Sequence, residues 1–276
     1  MTEQKCIKSR QNGKEYQISV SLPETYDALS DKRYSVVYVL DGNLFFELIV
    51  AIARYLGLFN LFPAIIIVGI GYPNCNMFGS DAKRSSELYH NRRFFDFTPF
   101  KDKAFEEAAS LPLGKEKRVV IETGGGEAFW GFIAEELIPK IEKDYMVKSS
   151  NRTLIGHSLG GVFALLTMFH IPELFTNFIV GSPSLGCCNK LVFKYESDYA
   201  REHRMLSAKI FAGIGEAEEH FNDPFLSSIS DLYKFSAALL SRNYQGFTYT
   251  KRVFEGQDHL TVPPMIFNAG LKNIFL

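Results

Sequence analysis

Thr153-Leu154-Ile155-Gly156-His157-Ser158-Leu159-Gly160-Gly161-Val162-Phe163-Ala164-Leu165-Leu166 reads as an apolar strand that passes through a tight turn straight into an apolar helix. A serine at the tip of such a turn needs small residues on both sides, because a Cβ there would collide with the neighbouring strand or helix. Gly156, Gly160 and Gly161 meet that need. The turn also makes Leu159 the first residue of the helix. Its backbone N–H, with the helix dipole behind it, then faces the place where an acyl oxyanion would form. Ser158 is therefore the candidate nucleophile and Leu159 a candidate oxyanion donor. A plain Gly/Ser turn between strand and helix is the competing reading, and the buried-looking strand before the turn weighs against it.

Working outward, runs rich in Val, Ile, Tyr and Phe recur at 16–22, 34–40, 64–69, 153–156, 177–180, 209–213 and 247–254. Ala64-Ile65-Ile66-Ile67-Val68 is apolar without alternation, as a strand covered on both faces must be. Helical patterns at 127–144, 159–169 and 228–242 fall between the strands. This alternation predicts an α/β fold, a mostly parallel sheet with helices on both faces. With 276 residues, 46% of them hydrophobic, the chain suits one domain over 1–276. Residues 75–123 carry few periodic signals, and a connection that long inside a compact domain reads as a lid or substrate-binding insertion.

A formal net charge of -1 leaves no electrostatic footprint for nucleic acid or an anionic membrane surface. The apolar stretches at 44–52 and 62–70 are too short to span a bilayer, and residues 1–14 lack the apolar core of a secretory signal. Cys6, Cys75, Cys187 and Cys188 form no zinc-binding spacing, and the neighbours Cys187 and Cys188 pair with each other only in strained geometry. Reduced thiols in a cytoplasmic protein are the expectation. Gly124-Gly125-Gly126 lacks the spacing of a phosphate loop.

A strand, a serine-bearing turn and a helix inside an α/β frame is the arrangement of the α/β-hydrolase fold. There the partners of the serine follow in the chain order Ser, acid, His. Of the downstream histidines, His170 ends the helix that begins at the nucleophile and points away from it. His203 lies in a charged run that suits a solvated surface, and His220 lies in the loop where the acid itself is expected. His259 follows the last strand, where such a sheet gathers its site, and is the candidate base. The acid should follow the preceding strand, in Gly215-Glu216-Ala217-Glu218-Glu219, where Glu218 or Glu216 would hold the imidazole tautomer. Asp258 is disfavoured because adjacent side chains diverge. The second oxyanion donor should come from Asp41-Gly42-Asn43, with the Asn43 N–H preferred and Gly42 next. A simple Asp-Gly turn explains that tripeptide nearly as well.

These segments form an ordered set with others. It comprises Tyr38-Val39-Leu40-Asp41-Gly42-Asn43, Arg93 with Asp96-Phe97-Thr98-Pro99, Gly124-Gly125-Gly126 with Glu135-Glu136-Leu137-Ile138-Pro139, Gly156 to Gly161, Ser182-Pro183-Ser184-Leu185, and Asp258-His259. The set resembles the esterase family that includes the enterobactin and bacillibactin esterases and esterase D, over nearly the whole chain. The resemblance implies a serine carboxylic-ester hydrolase that works through an acyl-enzyme on a small-molecule ester, without metal or cofactor. The branch most alike is that of the cytoplasmic siderophore esterases. In that branch a Gly-Glu-x-Glu run carries the acid, which favours Glu218 over Glu216. Arginines near the Asp-x-Thr-Pro segment are implied to contact an anionic, catecholate-bearing substrate, so Arg92 and Arg93 are candidates, and a salt bridge to Asp96 is the alternative. The chain departs from the family after Leu185, where Gly186-Cys187-Cys188 stands in place of tryptophans that wall the cleft, implying a narrower or less aromatic pocket. Two competing functions use the same frame: acyl transfer to an acceptor other than water, and non-catalytic binding on a hydrolase scaffold.

Overall fold

The computed structural model describes residues 2–58, 62–79, 82–109, 121–220 and 228–276. Strand β3 (Tyr34–Val39) explains why this chain lacks polar alternation in its central strands. Tyr34, Val36 and Tyr38 enter the core on one face of the sheet, while Val37 and Val39 enter the core on the other. Side chains alternate between faces, but both faces are covered, so neither set is polar.

The sheet has eight strands in the order β1 (Thr2–Lys8), β2 (Glu15–Ser21), β4 (Ile65–Gly71), β3, β5 (Val147–His157), β6 (Asn177–Gly181), β7 (Met205–Gly215) and β8 (Gln245–Phe254). Only β2 opposes its neighbours; the pairings from β4 through β8 are all parallel. Helices α1 (Gly42–Gly57) and α9 (Pro263–Phe275) supply Phe46, Ile49, Ile266, Phe267 and Leu271 to one core. The other face is covered by α2 (Ala82–Phe97), α4 (Gly126–Gly131), α5 (Ile138–Asp144), α6 (Leu159–His170), α7 (Cys187–Glu202) and α8 (Ile229–Ser241). Among the described residues no helix is long and apolar enough to cross a membrane.

From β3 the chain moves to β4 on one side, and β5 later returns to the other side. The carboxyl ends of β3 and β5 therefore flank the point where strand order reverses, which is where an open α/β sheet leaves a crevice. Ser158 stands at the end of β5 and Asp41 just past the end of β3.

Three elements differ from the sequence expectation. Strand β1 is mostly exposed and rich in polar residues, the composition of a protected edge and not of a buried strand. The single helix expected at 127–144 is interrupted by a wider π turn at Phe132–Leu137. Pro139 follows it, and proline can neither donate to the carbonyl one turn back nor fit beside it. The stretch 75–123 contains α2 and α3 (Lys103–Ala109), with 80–81 and 110–120 outside the described residues. The buried side of α2 carries Ser85, Tyr89, Arg93, Asp96 and Phe97, so most of its inward positions are polar and the apolar period is hidden.

At the turn between β5 and α6, a Cβ on Gly156 would lie 2.1 Å from the Gly160 carbonyl oxygen. Gly156→Ala is expected to lower stability by about 3 kcal/mol, read as a shifted urea midpoint, and to displace Ser158.

Candidate active site

Ser158 sits at φ 58°, ψ -123°, a conformation that residues with a side chain rarely adopt. Three backbone hydrogen bonds hold it there. The Ser158 N–H donates to Gly181 O (2.8 Å), while the Ser158 carbonyl accepts from Val162 N–H and Ser184 N–H (3.1 Å each). Strain of this size persists only where the surroundings over-determine it. The result is a half-buried hydroxyl raised at the end of β5, ahead of the first turn of α6. The Leu159 N–H is the first of that turn, where helical N–H groups lack an acceptor within the helix.

The acid and base arrive from the adjacent strand ends. After Gly215 the chain forms a short 3-10 turn, Glu216–His220, which folds Glu218 back under the loop that follows β8. Ala217 N–H donates to Gln257 O at 3.0 Å and ties the two loops together. Glu218 is buried, and its Oε2 accepts a 2.8 Å hydrogen bond from His259 Nδ1. Its Oε1 accepts from Ser182 Oγ (2.6 Å) and from Gly215 N–H (2.8 Å). With Nδ1–H facing the carboxylate, the lone pair of the neutral imidazole lies on Nε2. Glu216, by contrast, is exposed and accepts from Gly256 N–H at 3.0 Å. Asp258 turns away as well, capping Leu260 and Thr261 N–H at 2.9 Å each.

His157, one residue before the serine, was not among the sequence candidates because only histidines downstream of Ser158 fit the chain order. Its Nε2–H donates to the His259 carbonyl at 3.0 Å, and the two rings lie 4.6 Å apart. Burial, followed by the nearby His259 and Arg93, holds its pKa well below the usual histidine value, so it remains a neutral donor. Ser182 and Ser184 lie in the Ser182-Pro183-Ser184-Leu185 motif, where nothing local marks a role for either hydroxyl. The Ser158 hydroxyl hydrogen-bonds Ser184 Oγ at 3.2 Å and not His259 in this structure.

Of the other histidines, His170 stacks on Trp130 at 4.2 Å, 3.2 Å from Glu127, and His203 stacks on Tyr199 at 4.1 Å. The side chain of His220 lies outside the described residues. Asn43 falls in the first turn of α1, behind Asp41 at φ 54°. Its side chain is spent on the backbone, donating to Tyr72 O and Cys75 O and accepting from Tyr72 N–H, while its own N–H belongs to the turn without helical acceptors.

Arg93 is buried and grips Asp41 with both Nε (3.0 Å) and Nη2 (2.9 Å), so its ion-pair partner is Asp41 and not Asp96. A carboxylate buried at the start of α1 demands a hydrogen-bonded counter-charge, and a bidentate guanidinium is the group that supplies one. Arg92 donates to Glu15 O at 2.9 Å and lies over the rings of Tyr16 and Tyr72. Asp96 accepts from the Tyr16 hydroxyl at 3.0 Å, and burial pushes its carboxyl up to about 6 against the pull of Arg92 and Lys14.

All four cysteines are free thiols, with Cys187 and Cys188 Sγ 3.3 Å apart. The Cys188 thiol, then burial, raises the pKa of Cys187, which keeps it from competing as a thiolate nucleophile. Among the described residues no group of three or more His, Cys, Asp or Glu side chains is arranged to hold a metal ion.

The family described as "Putative esterase" matches residues 9–271. The ferri-bacillibactin esterase BesA of Bacillus subtilis is 30% identical over 98% of this chain and 88% of its own length. The siderophore triacetylfusarinine C esterase of Aspergillus fumigatus is 27% identical over 95% and 89%. Among solved structures, the BES protein from Bacillus cereus superposes with a TM-score of 0.79 at 31% identity, covering 100% of this chain and 96% of that one. An IroE-like serine hydrolase from Shewanella oneidensis gives 0.78 at 23% identity over 100% and 80%, a likeness of fold alone. The fold is the α/β-hydrolase fold.

Two outcomes follow from this geometry. Glu218→Gln should lower kcat for a p-nitrophenyl ester by on the order of a hundredfold or more, whereas Glu216→Gln should stay within about twofold of wild type. A carboxyl whose folded pKa lies above its unfolded one stabilises the fold while protonated, and that contribution is lost as pH rises from about 4 to about 6. Asp96→Asn should therefore gain about 2 kcal/mol on wild type across that interval, read from paired urea titrations.

Proposed function

The chain belongs to this esterase family and is a carboxylic-ester hydrolase, and we propose that its substrate is a siderophore-type ester cleaved in the cytoplasm. His259 removes the proton of Ser158, and Ser158 attacks the ester carbonyl. Glu218 keeps the imidazole in the Nδ1–H tautomer and stabilises the imidazolium. The N–H groups of Leu159 and Asn43, at the starts of two helices, donate to the oxyanion. The alcohol leaves with the proton held by His259, and water activated by the same imidazole hydrolyses the acyl-enzyme. Residues 75–123 form a substrate-binding insertion on a single domain in this reading.

The observation that carries the reading is the buried 2.8 Å contact of Glu218 with His259, beside the strained serine at the carboxyl end of the same sheet. With Nδ1 turned to the Glu218 carboxylate, Nε2 is the ring nitrogen of His259 left to take the serine proton. The relatives named for bacillibactin and triacetylfusarinine C support the substrate class. Gly186-Cys187-Cys188, where the resemblance implies tryptophans, offers a substrate less aromatic surface there.

Ser158→Ala should abolish turnover of a p-nitrophenyl ester with an unchanged circular dichroism spectrum. Wild type should open a catecholate trilactone, tested with and without iron, and cleavage confined to short-chain esters would refute the siderophore assignment.

A further inference from the structure

The two oxygens of the Glu218 carboxylate face different partners. Oε2 receives His259 Nδ1–H, and Oε1 receives the Ser182 hydroxyl at 2.6 Å and the Gly215 N–H at 2.8 Å. A carboxylate can only accept, so the hydroxyl of Ser182 is the donor, and its short distance is that of a charge-assisted bond. Ser182 and Glu218 are each 1% exposed, so bulk water does not share the bond between them.

Ser182 also occupies an unusual backbone conformation. It follows β6 at φ 36°, anchored by its N–H to Gly213 O at 2.7 Å. That region favours glycine, and a residue bearing a Cβ is strained there by about 1 kcal/mol. What serine adds over glycine at this position is the hydroxyl. Two residues on, Ser184 contacts Ser158, so the Ser182-Pro183-Ser184 turn touches both the acid and the nucleophile.

We infer that Ser182 is a positioning residue acting through Glu218: its hydroxyl turns the carboxylate so that Oε2 meets His259, and withdraws charge from it, which sets the basicity of the imidazole. The inference rests on Glu218 and His259 being the acid and base. Without the hydroxyl, Gly215 N–H still holds Oε1, but the carboxylate charge is shared less and favours the imidazolium more. Since kcat/KM requires neutral His259, its acid limb then moves to higher pH.

The test measures pH profiles of p-nitrophenyl ester hydrolysis for Ser182→Ala and Ser182→Gly, alone and combined with Glu218→Ala. The glycine variant suits the backbone, so it keeps the fold while losing the donor. Both single variants should lose roughly tenfold in kcat with little change in KM. Both should shift the acid limb upward by about half a pH unit. In the Glu218→Ala background neither should cost more. A Ser182→Gly enzyme with wild-type kcat, an acid limb that stays in place, or a full loss persisting without Glu218 would overturn the inference. If Glu218→Ala itself retains wild-type activity, the reading beneath it falls too. If that variant is crippled while the Ser182 variants are not, this inference alone is wrong.

Discussion

The close approach of β5 to α6 is the constraint on which the site depends. A Cβ on Gly156 would lie 2.1 Å from the Gly160 carbonyl, so strand and helix meet at a distance that only glycine permits. The residue between them has to turn sharply, and Ser158 takes the positive φ that results. Its backbone is bonded to β6 through Gly181, to its own helix through Val162, and to the next loop through Ser184. The strained hydroxyl is thus held by neighbours on several elements, which keeps it in place without help from a ligand.

Two buried carboxylates, Asp41 and Glu218, organise the surroundings, since a charged oxygen taken out of water is stable only with its hydrogen-bond partners in place. Asp41 and Arg93 satisfy each other in a bidentate pair that ties α2 to the start of α1. A Cβ on Gly160 would lie 3.1 Å from Asp41 Oδ2, so the starts of α1 and α6 are packed side by side. Two helix N-termini, each a positive dipole end, therefore lie next to each other at the carboxyl ends of β3 and β5. Glu218 fills its oxygens with Ser182, Gly215 and His259. The same need that orients a structural ion pair orients the candidate catalytic one.

Local features of the chain were legible because their causes are local. Glycines around a serine, continuous apolar strands and the order of serine, acidic loop and histidine depend on neighbours in sequence. Helix α2 was not legible, because its inward side carries Ser85, Arg93 and Asp96, and the burial of Arg93 makes sense only once Asp41 is seen beside it. Nor was β1, whose exposed polar strand is recognisable only by its pairing with β2. His157, Ser182 and Ser184 escaped a functional reading for the same reason: each acts on a partner far away in the chain.

By itself the sequence determined the α/β class, the nucleophile turn and the segments from which an acid and a base would come, since strand, turn and helix preferences are settled by adjacent residues. Tertiary structure decided which glutamate faces His259, because the 3-10 turn after β7 buries Glu218 and leaves Glu216 in solvent. It also decided that Arg93 belongs to Asp41, a pairing across 52 positions that no local pattern encodes. The physical reason is that the partners of a buried charge are chosen by desolvation, which acts only after the chain has folded.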